Sequence, residues 1–89
     1  MLPIRPTNQF KKDLKKLRTQ TKQLQKTKNA LILLSEMNTL PSSMKDHKLK
    51  GNWRDFRECH IEPDLIMIYT ITDFELRPVR VGSHAELFE

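Results

Sequence analysis

The hydrophobic period of this chain changes once, near residue 50, and that switch constrains the fold more than any other feature. Before it, apolar residues recur at helical spacing. Phe10, Leu14 and Leu17 form a narrow stripe between lysines, and Leu24, Leu31 and Leu34, with Ala30, Leu33 and Met37 alongside, form a broader one. After it, the period is two. In "WRDFRECHI", Phe56, Glu58 and His60 fall on one face of a strand and Arg57, Cys59 and Ile61 on the other. "LIMIYTIT" is apolar on both faces and reads as the central strand, while "LRPVRVG" places Leu76, Pro78 and Arg80 opposite Arg77, Val79 and Val81.

Local punctuation joins these pieces. "LPIR" is a short extended segment that Pro3 and Pro6 confine to an edge, and Thr7 can cap the helix that follows. Residues 19–21 weaken the first helical pattern, and Asn38 and Pro41 stop the second. "EPD" is a turn, and "DFE" leads into a hairpin. Pro78 lacks an N–H for the ladder, so its strand must be an edge or carry a bulge. The expected fold is α+β, with an N-terminal edge strand and a two-helix hairpin packed on a mainly antiparallel sheet. It forms a single domain over residues 1–89, without internal repeat or low-complexity linker.

With 89 residues, one core is the ceiling. The apolar runs "ALILL" and "LIMIY" are too short to cross a bilayer and the N-terminus lacks a signal-peptide pattern, so a cytoplasmic protein with no membrane partner is expected. Cys59 is the only cysteine, which excludes an internal disulfide and a CxxC knuckle; it reads as a small hydrophobe in a strand. Charge is unevenly placed. Residues 1–50 carry twelve Lys/Arg against three Asp/Glu, a balance of +9, and residues 51–89 carry four against eight, a balance of −4. Lys11, Lys12, Lys15, Lys16, Arg18 and Lys22 would attract a phosphate polymer; a solvated helix face or a docking site for an acidic protein would look the same.

Three histidines remain to be explained. His47 and His60 lie in the central block and His84 follows Gly82 in the tail, with Asp64 beyond the Pro63 turn and Arg80 on the last strand. An antiparallel meander can bring these to one surface, although sequence does not fix the register. Imidazoles that titrate near neutrality suit phosphodiester cleavage: one removes the proton of a ribose 2′-hydroxyl and another protonates the leaving 5′-oxygen. Arg80 would offset transition-state charge. That scheme needs no metal or other cofactor. A metal hydrolase is the weaker alternative, because no pair shows the i, i+4 spacing of a helical metal site, and Cys59 has no evident activation as a nucleophile.

The block "KDHKLKGNWRDFRECHIEPDLIMIY" and the tail "RVGSHAELF" carry "KDHxLxG", "RxxHIEPD" and "GSHxELF" in that order. In these motifs the chain resembles the RelE superfamily of bacterial toxins, most closely its YafQ branch. The resemblance implies a type II toxin–antitoxin toxin that enters the decoding (A) site of the 70S ribosome, cleaves mRNA there, inhibits translation and is silenced by a cognate antitoxin. By motif position it implies an active-site set of His47, His60, Asp64, Arg80, His84 and Phe88. The proline common after the first histidine is Lys48 here, which adds a charge and loosens the loop. Lys48, Lys50, Trp53 and Arg54 join the helical lysines as expected RNA or ribosome contacts. Each role has a plainer counterpart: a structural histidine at His47 or His60, a turn cap at Asp64, a surface ion pair at Arg80, and a packing ring at Phe88 or Trp53. The competing reading is a non-catalytic basic module, as in the gyrase-poisoning relatives of ParE type, which generally lack this histidine set.

Overall fold

The computed structural model describes residues 1–88; the last residue of the 1–89 span lies outside the described residues. Thr7 opens the helical half as expected. Its backbone is extended and its hydroxyl accepts the N–H of Phe10 at 3.0 Å, capping α1 (Asn8–Lys16), whose last turn carries Lys15 and Lys16 at the negative end of the helix dipole. Residues 17–20 link it to α2 (Thr21–Ser35). Asn38 was the expected stop, but the left-handed residue is Met37 (φ 61°). The N–H groups of Met37 and Asn38 return to the carbonyls of Leu34 and Leu33, so a Schellman motif closes α2 without a glycine.

Two 3-10 turns, Ser42–Met44 and Gly51–Trp53, flank β1 (His47–Lys48), a two-residue strand where a loop was expected. The strand expected from Trp53 begins only at Arg57, because Trp53 is taken into the second turn. β2 (Arg57–Glu62), β3 (Leu65–Ile71) and β4 (Leu76–Gly82) then run as an antiparallel meander in the order β1-β2-β3-β4. The tail is not extended but forms a short helix, α3 (His84–Phe88). The N-terminal segment lies on the β4 edge as a single parallel bridge, Ile4 to Leu76, rather than a full strand.

Alternation sorts the sheet into two faces. Cys59, Ile61, Met67, Tyr69, Leu76 and Val81 pack against Phe10 of α1, Leu17 at its C-terminal end, and Ala30, Leu31 and Leu34 of α2. Ile66 and Ile68 point the other way, against Leu87 of α3, with Trp53, Phe56, Val79 and Phe88 around them. β3 is buried on both faces, as its unbroken apolar run requires.

One expected alternation is overturned. Leu76, Pro78 and Arg80 do not share a face, because the β3–β4 register shifts: Ile68 pairs with Arg80 and Tyr69 with Pro78, which leaves Val79 as the extra residue of a bulge. Pro78 has no N–H to give the ladder, and the bulge is the adjustment that accommodates it. Thr7 secures the kink, donating its hydroxyl to Val79 O at 2.8 Å and its N–H to Pro78 O at 3.1 Å. The bulge sets Arg80 opposite Ile68 on the edge strand β4, where its guanidinium still reaches Asp13 of α1.

Candidate active site

Register assembles most of the site. His47 is the Cα partner of Glu58, Glu58 of Ile68, and Ile68 of Arg80, so these four form one cross-strand row. The next row holds His60, Ile66 and Gly82. Neighbours in a row point to the same face, and residues i and i+2 share it, so Glu58 and His60 stand on the face that α1 and α2 do not cover. Glu58 Oε2 lies 3.3 Å from His47 Nε2 and 3.6 Å from His60 Nε2. One largely buried carboxylate thus serves two imidazoles. It was placed on the His60 face from sequence but not in the candidate set; its i−2 spacing from His60 was the available signal.

His47 is held from both sides. Its Nδ1 lies 2.6 Å from the carbonyl of Lys45 while Nε2 faces Glu58 Oε2 at 3.3 Å, so both ring nitrogens are engaged. The loop before it is fixed by a left-handed Lys45 (φ 49°) and by Asp46, which accepts the buried Tyr69 hydroxyl at 2.5 Å and the Arg57 guanidinium at 3.3 and 3.4 Å. Burial, and then the hydrogen bond to Asp46, pushes the Tyr69 phenol well above its usual range, so it remains a donor.

Arg80 is paired rather than free. Its Nε donates to Asp13 Oδ2 at 2.8 Å and its Nη2 to Asp13 Oδ1 at 3.4 Å. The hydrogen bond to Asp13 holds the guanidinium above its ordinary pKa. Asp13 went unnoticed among the lysines of α1. Its place at i+3 from Phe10 and i−4 from Leu17, within the apolar stripe, marked it as inward-facing.

His84 begins α3, and a capping box positions that helix. Ser83 Oγ accepts the N–H of Glu86 at 3.1 Å, and Glu86 Oε1 accepts the N–H of Ser83 at 2.9 Å. The S-x-x-E pattern of residues 83–86 was the legible but unread signal. Gly82 lets the helix fold back on β4, since a Cβ there would lie 3.2 Å from Glu86 Oε1 and 3.4 Å from Leu87 Cδ2. Asp64 was expected beside His60; the contact it makes is with the backbone N–H of His84, at 3.4 Å. The His84 ring lies against Phe88 with centroids 4.9 Å apart, and Phe88 meets Trp53 edge-on at 5.8 Å. Trp53 in turn meets Phe56 at 5.3 Å, so it is a half-buried wedge between the Gly51–Trp53 turn and α3.

The expected RNA contacts divide into two groups. Lys11, Lys12, Lys15, Lys16, Arg18 and Lys22 are exposed on the helical layer, behind the imidazole face, and Lys48, Lys50 and Arg54 are exposed in and after β1. Two clefts of ≈ 390 Å³ flank the sheet, one reaching Asp13, Asp64 and Glu86 and the other His60 and Lys45; His47 and His84 line neither. Both imidazoles are exposed, an arrangement open to a chain-like substrate. Cys59 is fully buried on the helix face, and burial, with the charges of Asp46 and Glu58, pushes its thiol up to about 12. No group of three His, Cys, Asp or Glu side chains among the described residues is arranged to hold a metal ion, and no helix among them is long and apolar enough to cross a membrane.

Residues 2–89 match the family described as bacterial toxin of type II toxin–antitoxin system, YafQ. The chain is 41% identical over 86 residues to the mRNA interferase toxin YafQ of Escherichia coli strain K12, covering 96% of this chain and 94% of that one. Among solved structures, a copper-bound mutant toxin from Helicobacter pylori aligns with a TM-score of 0.91 at 39% identity, over 99% of this chain and all of that one. The E. coli DinJ–YafQ toxin–antitoxin complex contains a chain that aligns with a TM-score of 0.87 at 40% identity, over 99% and 98% of the two chains.

Proposed function

The chain belongs to the YafQ family of bacterial toxins of type II toxin–antitoxin systems, and from that premise we propose that it is a ribosome-dependent mRNA interferase acting in the A site by metal-independent acid–base catalysis. The observation that carries this reading is Glu58 between His47 and His60, on the sheet face that also receives Arg80 and is bordered by α3 with His84. In the proposed reaction one imidazole takes the proton of the 2′-hydroxyl, and the 2′-oxygen attacks the adjacent phosphorus. The bond from phosphorus to the 5′-oxygen breaks, and a second imidazole protonates that oxygen. The products are a 2′,3′-cyclic phosphate and a 5′-hydroxyl. His84, exposed at the start of α3, acts from the tail side, and the set ordered by Glu58 supplies the partner. Arg80 faces the charge that builds on the phosphorane. Phe88 and the exposed part of Trp53 offer ring surface to an unpaired base.

Charge supports dependence on the ribosome. The half of the chain that builds the sheet is net acidic, whereas the exposed lysines of α1 are suited to ribosomal RNA, so naked RNA is cut weakly and translated mRNA strongly. The solved complex of a relative with DinJ supports a cognate antitoxin as the second partner.

The deciding experiment is primer-extension mapping of mRNA 5′ ends on translating ribosomes, comparing wild type with His84→Ala. Ribosome-dependent cuts that vanish in the variant, with folding and ribosome binding retained, support the reading. Absence of wild-type cuts under every ribosomal condition moves the case to a non-catalytic module such as a gyrase inhibitor.

A further inference from the structure

We propose that Asp13 is a positioning residue for Arg80, gripping one edge of the guanidinium so that its other edge faces the scissile phosphate. The inference rests on the nuclease reading above and extends the site by a residue from the helical layer.

Asp13 is the only acid in a helix that otherwise displays lysines, and its side chain is 2% exposed. A carboxylate withdrawn from water that far must be compensated by donors. Asp13 has them: Arg80 Nε and Nη2, the backbone N–H of Val81 at 3.1 Å, and Gln9 Nε2 at 3.2 Å. The Val81 contact matters most for aim, because it fixes the carboxylate to the strand that bears Arg80. Strand, carboxylate and guanidinium therefore form one rigid unit just past the Pro78–Val79 bulge.

The direction of the grip is informative. A guanidinium presents a side edge, Nε with one hydrogen of Nη2, and an end edge, Nη1 with the other. Asp13 occupies the side edge. Among the described residues no acceptor occupies the end edge, and the Arg80 side chain keeps 27% of its surface exposed. An arginine alone on a strand would sample many rotamers and lose that freedom when it met a phosphate. Held by Asp13, it is ordered before substrate arrives, which is the condition under which fixed charge is most effective in catalysis. The pair lowers net charge and fixes direction. A staple between α1 and β4 would use the same contacts, so the test must separate aim from stability.

The test is a double-mutant cycle, with single-turnover cleavage on programmed ribosomes and thermal unfolding measured for wild type, Asp13→Asn, Arg80→Ala and the double variant. We expect Asp13→Asn to slow cleavage about 10- to 100-fold, with the half-saturating ribosome concentration within about threefold of wild type. The double variant should be no slower than Arg80→Ala, because Asp13 acts only through Arg80. Arg80→Lys decides the matter if Asp13→Asn folds poorly. It keeps a cation against Asp13 and near-native thermal stability, yet should be as slow as Arg80→Ala, because an ammonium presents no second edge. A wild-type rate in Asp13→Asn or Arg80→Lys, or losses that multiply in the double variant, would overturn the proposal. Wild type that makes no cuts removes the nuclease reading with it. Wild-type cutting with full activity in Arg80→Ala keeps the nuclease and removes only the role of this pair.

Discussion

Glu58 and His47 are direct Cα partners across β1 and β2, and their side chains meet with Oε2 and Nε2 3.3 Å apart. The same oxygen lies 3.6 Å from His60 Nε2, so Glu58 orients two rings with one carboxylate. An amide of equal size keeps an acceptor oxygen but carries no charge to hold two imidazoles. Glu58→Gln should lower single-turnover cleavage about 100-fold, the scale of a lost acid–base contribution. Urea unfolding should move by only about 1 kcal/mol, the scale of one hydrogen bond. An unchanged rate would confine Glu58 to the fold.

Tyr69 reaches the site only through Asp46, yet it anchors the loop that carries His47. Tyr69→Phe keeps the buried ring and deletes the hydroxyl, leaving Asp46 with the longer Arg57 contacts. A hydrogen bond to a charged acceptor contributes about 1.5–3 kcal/mol, which sets the expected loss in urea unfolding. Amide exchange at residues 45–48 should accelerate beyond what that loss explains, and cleavage should fall. Normal exchange there would show that β1 pairing alone holds His47.

The Cys59 thiol, pushed up to about 12 by burial and then by the charges of Asp46 and Glu58, carries almost no thiolate near neutral pH. Alkylation by iodoacetamide at pH 8 should therefore proceed only as fast as the molecule unfolds. Rapid labelling of native protein would mean that β2 and β3 separate locally, since Cys59 pairs with Met67 at the centre of the sheet.

A chelator selective for transition metals, such as 1,10-phenanthroline, spares the magnesium that ribosomes need. Cleavage should be unaffected by it, since the proposed P–O bond exchange is driven by imidazole acid–base groups of the chain and the described residues present no three-ligand cluster. A loss restored by added zinc or copper would replace acid–base chemistry with a metal-activated mechanism.

Much of this was legible in the sequence because period is a local property. The spacing of Phe10, Leu14 and Leu17, the alternation through Cys59 and Ile61, and the unbroken run at Leu65–Ile71 each report burial without reference to the rest of the chain. What escaped depended on contacts distant in sequence. Asp13 reads as a helix-surface charge until Arg80, 67 residues away, gives it a partner. Glu58 looks like an outward strand residue until the two-residue β1 lands beside it. The bulge was anticipated from Pro78, but its consequence, Arg80 set opposite Ile68, required the β3–β4 register. The helix that carries His84 was missed for another reason: five residues give too little periodicity, and the Ser83–Glu86 pair was its only local mark.

That pair makes α3 sensitive to acid. The Glu86 carboxyl is held below the usual carboxylate range by the backbone N–H and side chain of Ser83, helped by Lys16 and opposed by burial and Asp13. Because the folded value is depressed, the contribution of the cap is complete above the ordinary Glu pKa of about 4.3 and is lost as pH falls through the lower folded value. Glu86 is half exposed, so the effect is local and small rather than global. Trp53, the only tryptophan, touches Phe88 at the end of α3 and reports on its docking. Its fluorescence should shift in acid while the far-ultraviolet circular dichroism of α1 and α2 persists. Glu86→Gln retains an oxygen for the Ser83 N–H but does not titrate, so the acid step should disappear and the neutral-pH spectrum remain. If Glu86→Gln keeps the step, the Ser83–Glu86 cap is not what holds α3 in acid.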